Sequence, residues 1–476
     1  MKPVKRIKLK SAASVALGPL VYVLILAALP PETFTFEMRC AIGTLCWMVC
    51  WWLLPPVDYP VIGLLPIALN ALFPMIPMAD IISQYASDSI ILVLSGMIIT
   101  ASWECTGLNK RIATAFLNLV GTSVRAQVMF WFLLSTALST ILPNLVVAAT
   151  ISPIAMSMLK YVGEGDIANS KAGSMVVMSV AWGAGLGGMA TPIGSASNLV
   201  VIEYLEQVSG REYMYIDWVV RFAPIMLTLL VTCTVYVFLI SPKNATLAGS
   251  KEYLAKVRAD MGRMSRDEAL CFTVFLVAVG LAFTRSLYAE LLPGLAPANS
   301  FAACAIVLFL IPGKERKRIV NWIKVESEVD WGLLYMFGGA LSLGNMLTGT
   351  GADVAIGTLI SNTGVSSTLG LVFIIVTFTL VMSDLTSNGA TASMCLPITM
   401  AIATALGANA TPLLYITAIG INLSFTMPTS IRAIPVGYGL KPSFMAKKGI
   451  VLSAIIIAEM TFLGWALIEF WPAFSL

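Results

Sequence analysis

Apolar runs of roughly membrane-crossing length alternate with short polar connections along the whole chain. Uninterrupted runs fall at 13–29, 38–54, 58–77, 88–107, 218–240, 268–287, 297–312, 331–349 and 449–471. Each is close to the roughly 20 apolar residues that a spanning helix needs. Four longer regions depart from this pattern. The stretch 126–159 is interrupted at Ser139-Thr140 and Pro143-Asn144, and 367–405 is interrupted by the hydroxyl-rich segment 383–391. In the latter, the apolar arms 369–382 and 392–406 are each too short to cross comfortably, so the two regions read as re-entrant hairpins. The other two, 172–204 and 411–440, are long enough to cross but are broken. The first is broken by Gly183, Gly185, Gly187, Gly188, Thr191-Pro192 and Gly194, the second by Pro428 and Pro435. Irregular backbone at membrane depth is tolerated only where protein or a water-filled cavity surrounds it, so all four breaks mark candidate functional sites. The spacing predicts an all-α polytopic membrane protein with about 11 transmembrane helices and two re-entrant hairpins. Amphipathic interfacial helices are expected near 109–124 and 352–362.

Composition agrees. The 476 residues are 58% hydrophobic and only 11% charged, which places the chain outside soluble folds. Residues 1–12 are basic and precede an apolar run, but no small-residue cleavage site follows, so the run reads as a first membrane helix. The eight cysteines are scattered through apolar spans without a CxxC pair and read as buried hydrophobes. The chain contains no histidine, which removes the commonest metal ligand and the usual proton relay. With no acidic metal box and no Walker or dinucleotide fingerprint, a membrane-embedded enzyme is disfavoured.

Charge tests the span count. With a cytoplasmic amino terminus and each hairpin returning to its own side, 24 of the 29 Lys and Arg residues fall in cytoplasmic segments. Arg39, Arg211, Arg221 and Arg285 fall outside, and Arg432 falls inside a span. The carboxyl terminus is then extracytoplasmic, and the protein belongs in the cell (inner) membrane.

The halves repeat. Asn144 precedes Pro153 by nine residues and Asn388 precedes Pro397 by nine, an offset of 244 that Ala148 and Ala392 share. Each hairpin is followed by a proline-broken span, and the two hairpins enter from opposite faces. This is the inverted-topology repeat of secondary transporters, which places the site at the repeat interface. The expected division is scaffold helices in 1–107, a first transport half in 108–217, and scaffold helices in 218–350 with a cytoplasmic loop at 241–267. A second transport half in 351–440 and a last helix in 441–476 complete it.

Broken helices expose N–H groups that attract anions and C=O groups that attract cations. Ser, Thr and Asn at the breaks add oxygen ligands for Na⁺ and donors for a carboxylate. Asn144 and Asn388 sit at the tips, where each can cap the following helix or offer its amide to a substrate. Arg432 lies nine residues before Lys441, about 13 Å deep if the intervening segment is helical. An arginine there needs a partner or a cavity. It can hold a substrate carboxylate, stand in for a coupling cation, or snorkel to the interface. Asp384 is its natural counter-charge. Asp384 also carries the alternative reading, a cation/proton antiporter of the same fold superfamily. Glu104 and Glu459 sit at or within spans and read as interfacial or helix-facing.

At these residues the chain resembles the divalent anion/sodium symporter family, whose members carry Ser-Asn-Thr at each hairpin tip and a Thr-Pro-Pro-type motif in each broken helix. Here the second tip reads Thr386-Ser387-Asn388-Gly389-Ala390-Thr391, while the first, Pro143-Asn144-Leu145, keeps only the asparagine. The first broken helix reads Thr191-Pro192-Ile193-Gly194-Ser195-Ala196-Ser197-Asn198, and the second has Phe425-Thr426-Met427-Pro428 with Ile431-Arg432-Ala433 at the later motif. The resemblance implies an elevator-type transporter of a small organic dianion, sodium-coupled or exchanging, and a homodimer through its scaffold. It implies substrate contacts at Asn144, Ser195, Ser197, Asn198, Ser387, Asn388 and Arg432. It further implies Na⁺ as the coupling ion near Ser139, Asn144, Thr386 and Asn388, with no enzymatic cofactor.

Overall fold

The computed structural model describes residues 12–116, 121–243, 245–313, 318–355 and 367–475. The described residues form helices, with no β-strand among them. The first part comprises α1 (Ala12–Ala28), α2 (Phe36–Leu53), α3 (Tyr59–Ile62), α4 (Leu65–Leu72), α5 (Met78–Ile82), α6 (Asp88–Thr106) and α7 (Leu108–Thr114). The first hairpin is α8 (Val124–Ser139) and α9 (Asn144–Tyr161), and the first broken span is α10 (Lys171–Gly187) and α11 (Ala196–Ser209). The middle of the chain supplies α12 (Tyr215–Ile240), α13 (Ser250–Asp260), α14 (Arg266–Phe283), α15 (Pro297–Leu310), α16 (Trp322–Glu328) and α17 (Trp331–Thr350). The second hairpin is α18 (Thr368–Leu385) and α19 (Asn388–Leu406). The second broken span is α20 (Ala410–Asn422) and α21 (Ala433–Gly437), and α22 (Pro442–Phe470) closes the fold. Among the described residues, six helical segments are long and apolar enough to cross a membrane, and shorter apolar helices accompany them; the six include α9, α18 and α19, so the arms of the second hairpin are longer than the apolar pattern predicts.

Both hairpins and both broken spans fall where the apolar pattern is interrupted. The packing repeats as well: α8 lies along α10, as α18 lies along α20, and α11 packs against α20 where the halves meet. Outside this core, α1 to α5 gather with α17, and α6 packs with α14, α15 and α16. The long α12 packs on α8, α10 and α22 as well as on α14, so it lies against the first hairpin and the first broken span.

Two expectations change. The apolar run 58–77 does not form one helix. Pro66 cannot donate to the carbonyl of Ile62 and its ring crowds that carbonyl, so the chain breaks at Gly63-Leu64 into α3 and α4. The Tyr85 hydroxyl satisfies the exposed carbonyl of Gly63. The loop 241–267 is not a bare linker, because it carries α13 and is stitched to the base of the first hairpin. There Val124 N–H donates to Ala245 O (2.9 Å), Leu247 N–H to Thr122 O (2.8 Å) and Gln127 Nε2 to Ser250 Oγ (3.0 Å). Of the interfacial helix expected at 109–124, only the short α7 is helical, ending at Thr114, and residues 117–120 lie outside the described residues. Most of the one expected at 352–362 also lies outside them.

Candidate substrate site

The two hairpin tips reach the same cavity. It encloses about 490 Å³ and is lined by Asn144 and Leu145 from the first tip and by Ser387, Asn388 and Gly389 from the second. Ser195 and Ser197, at the start of α11, and Ser430 add hydroxyls to the wall, and Glu104, Glu328 and Asp330 add carboxyl groups. Each tip starts a helix at the cavity, so unsatisfied N–H groups and the positive dipole ends of α9 and α19 are directed there. The capping expectation shifts by one position. Ser387 is the cap of α19, its Oγ accepting from Ala390 N–H at 3.2 Å, and Asn388 is the first helical residue. Asn144 likewise opens α9, behind Pro143, and caps nothing. Both amides are thereby free for other work. Asn388 is only 6% exposed, and its Nδ2 has no hydrogen-bond partner. Asn388 lines the cavity, and a buried donor left without an acceptor costs free energy until something accepts from it.

Behind the tips, the broken spans are braced in parallel ways. Ser139 Oγ donates to Ala184 O at 2.7 Å, and Ser383 Oγ, 244 positions later, donates to Ile421 O at 2.8 Å. Thr191 Oγ1 donates to Thr140 O, and Thr429 Oγ1 donates to Asp384 O at 3.3 Å. The carbonyls freed by unwinding are satisfied differently in the two halves. In the first, the neutral amide of Asn198 donates to Gly188 O and Thr191 O, both at 2.8 Å. In the second, the guanidinium of Arg432 does the same work, donating from Nε to Ser424 O at 2.8 Å and from Nη2 to Asn422 O at 3.1 Å. Its Nη1 donates to Asn388 Oδ1 at 3.2 Å, which turns the amide so that Nδ2 is left over. Asn422 Nδ2 donates to Asn198 Oδ1 at 2.7 Å and ties the halves together.

Arg432 is 1% exposed, so it does not snorkel. The segment toward Lys441 is helical only over Ala433–Gly437, which voids a depth calculated for one continuous helix. Nor does Arg432 form an ion pair with Asp384. The carboxylate accepts instead from Ser424 Oγ (2.8 Å), Phe425 N–H (2.9 Å) and Thr426 N–H (2.9 Å). The unwound backbone at 423–429 thus separates the charges: its N–H groups face the carboxylate and its C=O groups face the cation. Ser430 follows with φ +49°, a left-handed conformation uncommon for serine, on the cavity wall.

Of the residues singled out from sequence, Asn144, Ser195, Ser197, Ser387 and Asn388 line the cavity. Ser195 and Ser197 share a 2.8 Å hydroxyl–hydroxyl contact there. Ser139, Asn198 and Arg432 stand behind the wall as braces. Thr386 Oγ1 is occupied by Met382 O at 2.8 Å and by Thr391 Oγ1 at 2.9 Å. Sequence reasoning missed Asn422, Ser424, Glu328 and Ser430; it placed Ser383 in the hydroxyl-rich break 383–391, without its 244-residue offset from Ser139.

Paired hairpins and broken helices around a shared cavity are the build of a secondary transporter. A family model described as a citrate transporter matches residues 46–420, and the chain belongs to that family. It is 27% identical over 467 residues to the sodium-dependent dicarboxylate transporter SdcS of Staphylococcus saprophyticus, covering 94% of this chain and 90% of that protein. The protein of the same name from Staphylococcus aureus is 27% identical over 462 residues, covering 93% and 88%. The crystal structure of the YdaH transporter of Alcanivorax borkumensis superposes with a TM-score of 0.57 at 13% identity, covering 86% of this chain and 90% of that one, a likeness of fold. The resemblance to the divalent anion/sodium symporters is borne out, and the chain is a multi-pass membrane transporter rather than an enzyme.

Proposed function

We propose that the chain exchanges small dicarboxylate dianions across the cytoplasmic membrane, with the guanidinium of Arg432 permanently filling the cation position of the second half. The observation that carries this reading is the pair of carbonyls, Ser424 O and Asn422 O, spanned by one buried guanidinium. Carbonyls at the end of a half-helix are where a transporter of this build coordinates a coupling cation. A fixed positive charge there repels Na⁺ and leaves it no acceptor. The substrate carboxylates face the N-terminal ends of α9 and α19, Asn388 Nδ2, Asn144 and the Ser195–Ser197 pair. The hairpins, the broken spans, α12 and α22 move as one body past the remaining helices in an elevator step. Two copies associate through the scaffold, with the amino terminus cytoplasmic and the carboxyl terminus outside. A second reading, sodium symport, is favoured by the similarity to the Staphylococcus proteins, which are sodium-dependent dicarboxylate transporters. In that case Na⁺ sits in the first half near Ser139 and Asn144, where no cationic side chain intrudes on the brace.

Labelled succinate uptake into proteoliposomes separates the two. Uptake that requires succinate inside and ignores a Na⁺ gradient is the expected result. Uptake driven by the Na⁺ gradient into empty vesicles would establish symport instead. A second expectation concerns the tip. Asn388→Asp replaces the free donor with a carboxylate beside Arg432, a pair the fold can hold, yet it turns the cavity wall against anions. Succinate binding should weaken by at least about 100-fold, from loss of one charge-assisted hydrogen bond plus repulsion, while the elution profile of the purified protein stays unchanged. Wild-type affinity in this variant would remove Asn388 from the substrate contacts.

A further inference from the structure

Each tip asparagine rests on its own broken span, and the two spans meet through one amide. In the first half, a Cβ at Gly188 would stand 3.0 Å from Asn144 Nδ2, so the tip amide lies against the unwound stretch. Asn198 Nδ2 holds that stretch by donating to Gly188 O and Thr191 O, and Thr191 Oγ1 donates to Thr140 O beside the tip. In the second half, Arg432 donates to Asn388 Oδ1 at the tip and to Asn422 O behind it. Asn422 Nδ2 then reaches Asn198 Oδ1 across the halves at 2.7 Å, where α11 packs on α20. A chain of polar contacts thus runs from one tip asparagine to the other and crosses between the halves at Asn422. The crossing is held against a cost. Asn422 is wholly buried, and its Oδ1 has no hydrogen-bond partner among the described residues. An unpaired buried acceptor destabilises the fold, and a leucine of similar volume would avoid it. The donor, rather than packing, therefore accounts for an amide at this position. Neither amide can turn over, because a flip of Asn198 would set its oxygen against two carbonyls and a flip of Asn422 would set two amide oxygens together.

We infer that Asn422 is a positioning residue for the substrate: its bond to Asn198 fixes the separation of the two tip asparagines, and with it the spacing of carboxylates that the cavity accepts. Asn422 itself is not part of the cavity wall. On the dicarboxylate reading, which this assignment needs, the carboxylates face helix starts from different halves, α9 and α19. Donors on one rigid element keep their spacing whatever joins the halves. Donors on two elements keep it only through what joins them. A site of fixed spacing tells dianions apart by length, because a chain one methylene too short or too long leaves a buried donor unpaired or strained. With the Asn422 bond removed, each tip keeps its own brace, Asn198 in one half and Arg432 in the other, but the two braces are no longer fastened to each other. The tips can then adjust to dianions of several lengths, and the cavity loses discrimination before it loses binding.

Two measurements on the purified full-length protein test this. Affinities for malonate, succinate and glutarate, which differ by one methylene each, are compared at about pH 8, where all three are dianions. The wild type should prefer its best-fitting length over its worst by at least about tenfold, and Asn422→Leu should bring the three within about threefold of one another. That variant exchanges one unpaired acceptor for another, Asn422 Oδ1 for Asn198 Oδ1, so it should elute and melt as the wild type does. Should it aggregate, Asn422→Thr carries the same expectation, because its hydroxyl can turn back on Ala418 O as Thr417 Oγ1 does on Leu413 O at 2.9 Å. Amide hydrogen exchange is the second measurement and needs no substrate. In either variant it should quicken at least about threefold over both tips, 139–148 and 386–391, and stay unchanged over α15. A wild type that binds none of the three dianions sinks the dicarboxylate reading, and exchange at the tips then decides the link alone. Equal wild-type affinities, length selectivity that survives in the variant, quickening confined to the second tip, or loss of the fold in both variants overturns the inference.

Discussion

Arg432→Ala should lower succinate exchange by at least about 100-fold, and added Na⁺ or free guanidinium should restore part of it. The size follows from what the side chain does. It donates to Ser424 O, Asn422 O and Asn388 Oδ1 from a position almost wholly buried. Hydrogen bonds from a charged donor contribute about 1.5–3 kcal/mol each, and removal leaves their acceptors unpaired in a site with little access to water. Two carbonyls at the end of α20 then carry negative potential with nothing opposite them, which is the arrangement that binds a small cation. Restoration by a cation is therefore the informative readout, since mere loss of activity would also follow from misfolding. Arg432→Lys should keep the charge but lose the fork, because an ammonium is a compact point donor, and it should retain intermediate activity without responding to guanidinium. The measurement is labelled succinate exchange in proteoliposomes of matched protein content, with and without each cation. An Arg432→Ala protein that exchanges at the wild-type rate, or that no cation rescues although it elutes normally, would remove the surrogate role.

The sequence makes the frame of this site visible because membrane depth punishes polarity. Hydroxyls, amides and prolines inside apolar runs stand out, and so both hairpins, both broken spans and Arg432 are readable before any coordinates. The offset of 244 pairs Asn144 with Asn388 and, with the structure in hand, Ser139 with Ser383. Direction is not readable in the same way. Spacing brings Asp384 and Arg432 to one region but does not say which face of the unwound backbone each meets, so the expected ion pair is in fact two separate sets of hydrogen bonds. The break between α3 and α4 does carry a mark, Pro66, but no polar residue accompanies it and the run 58–77 reads as continuous. Asn422 reads as a lone amide at the end of a helix, and its bond to Asn198 crosses between halves at an offset the repeat does not predict. Spacing alone also leaves open whether Asn388 caps its helix or faces the cavity, and the answer turns on one position, since Ser387 is the cap.

Gly187→Ala should cost the protein its stable fold, an effect far larger than its single added methyl would suggest. The close packing of α10 on α8 depends on two glycines spaced four apart, on one face of the helix. A Cβ at Gly183 would stand 2.3 Å from Phe132 O, and one at Gly187 would stand 2.1 Å from Thr136 O. Both obstacles are backbone atoms of α8, which no rotamer change can move aside. Overpacking of this kind costs about 1–3 kcal/mol when side chains can yield, and more when a helix must shift as a body. The shift would also carry Ser139 away from Ala184 O, a brace only 2.7 Å long, and would open the first tip that the brace positions. Gly183→Ala should behave likewise. Gly96→Ala is the control, since a methyl there meets nothing within 4 Å. Size-exclusion profiles and thermal unfolding in detergent should show the Gly96 variant unchanged, with the Gly187 variant aggregated or melting well below it. A Gly187→Ala protein that is as stable as wild type but inactive would shift the cause from packing to the unwound backbone at Gly188 and Thr191, where Asn198 holds the same break together.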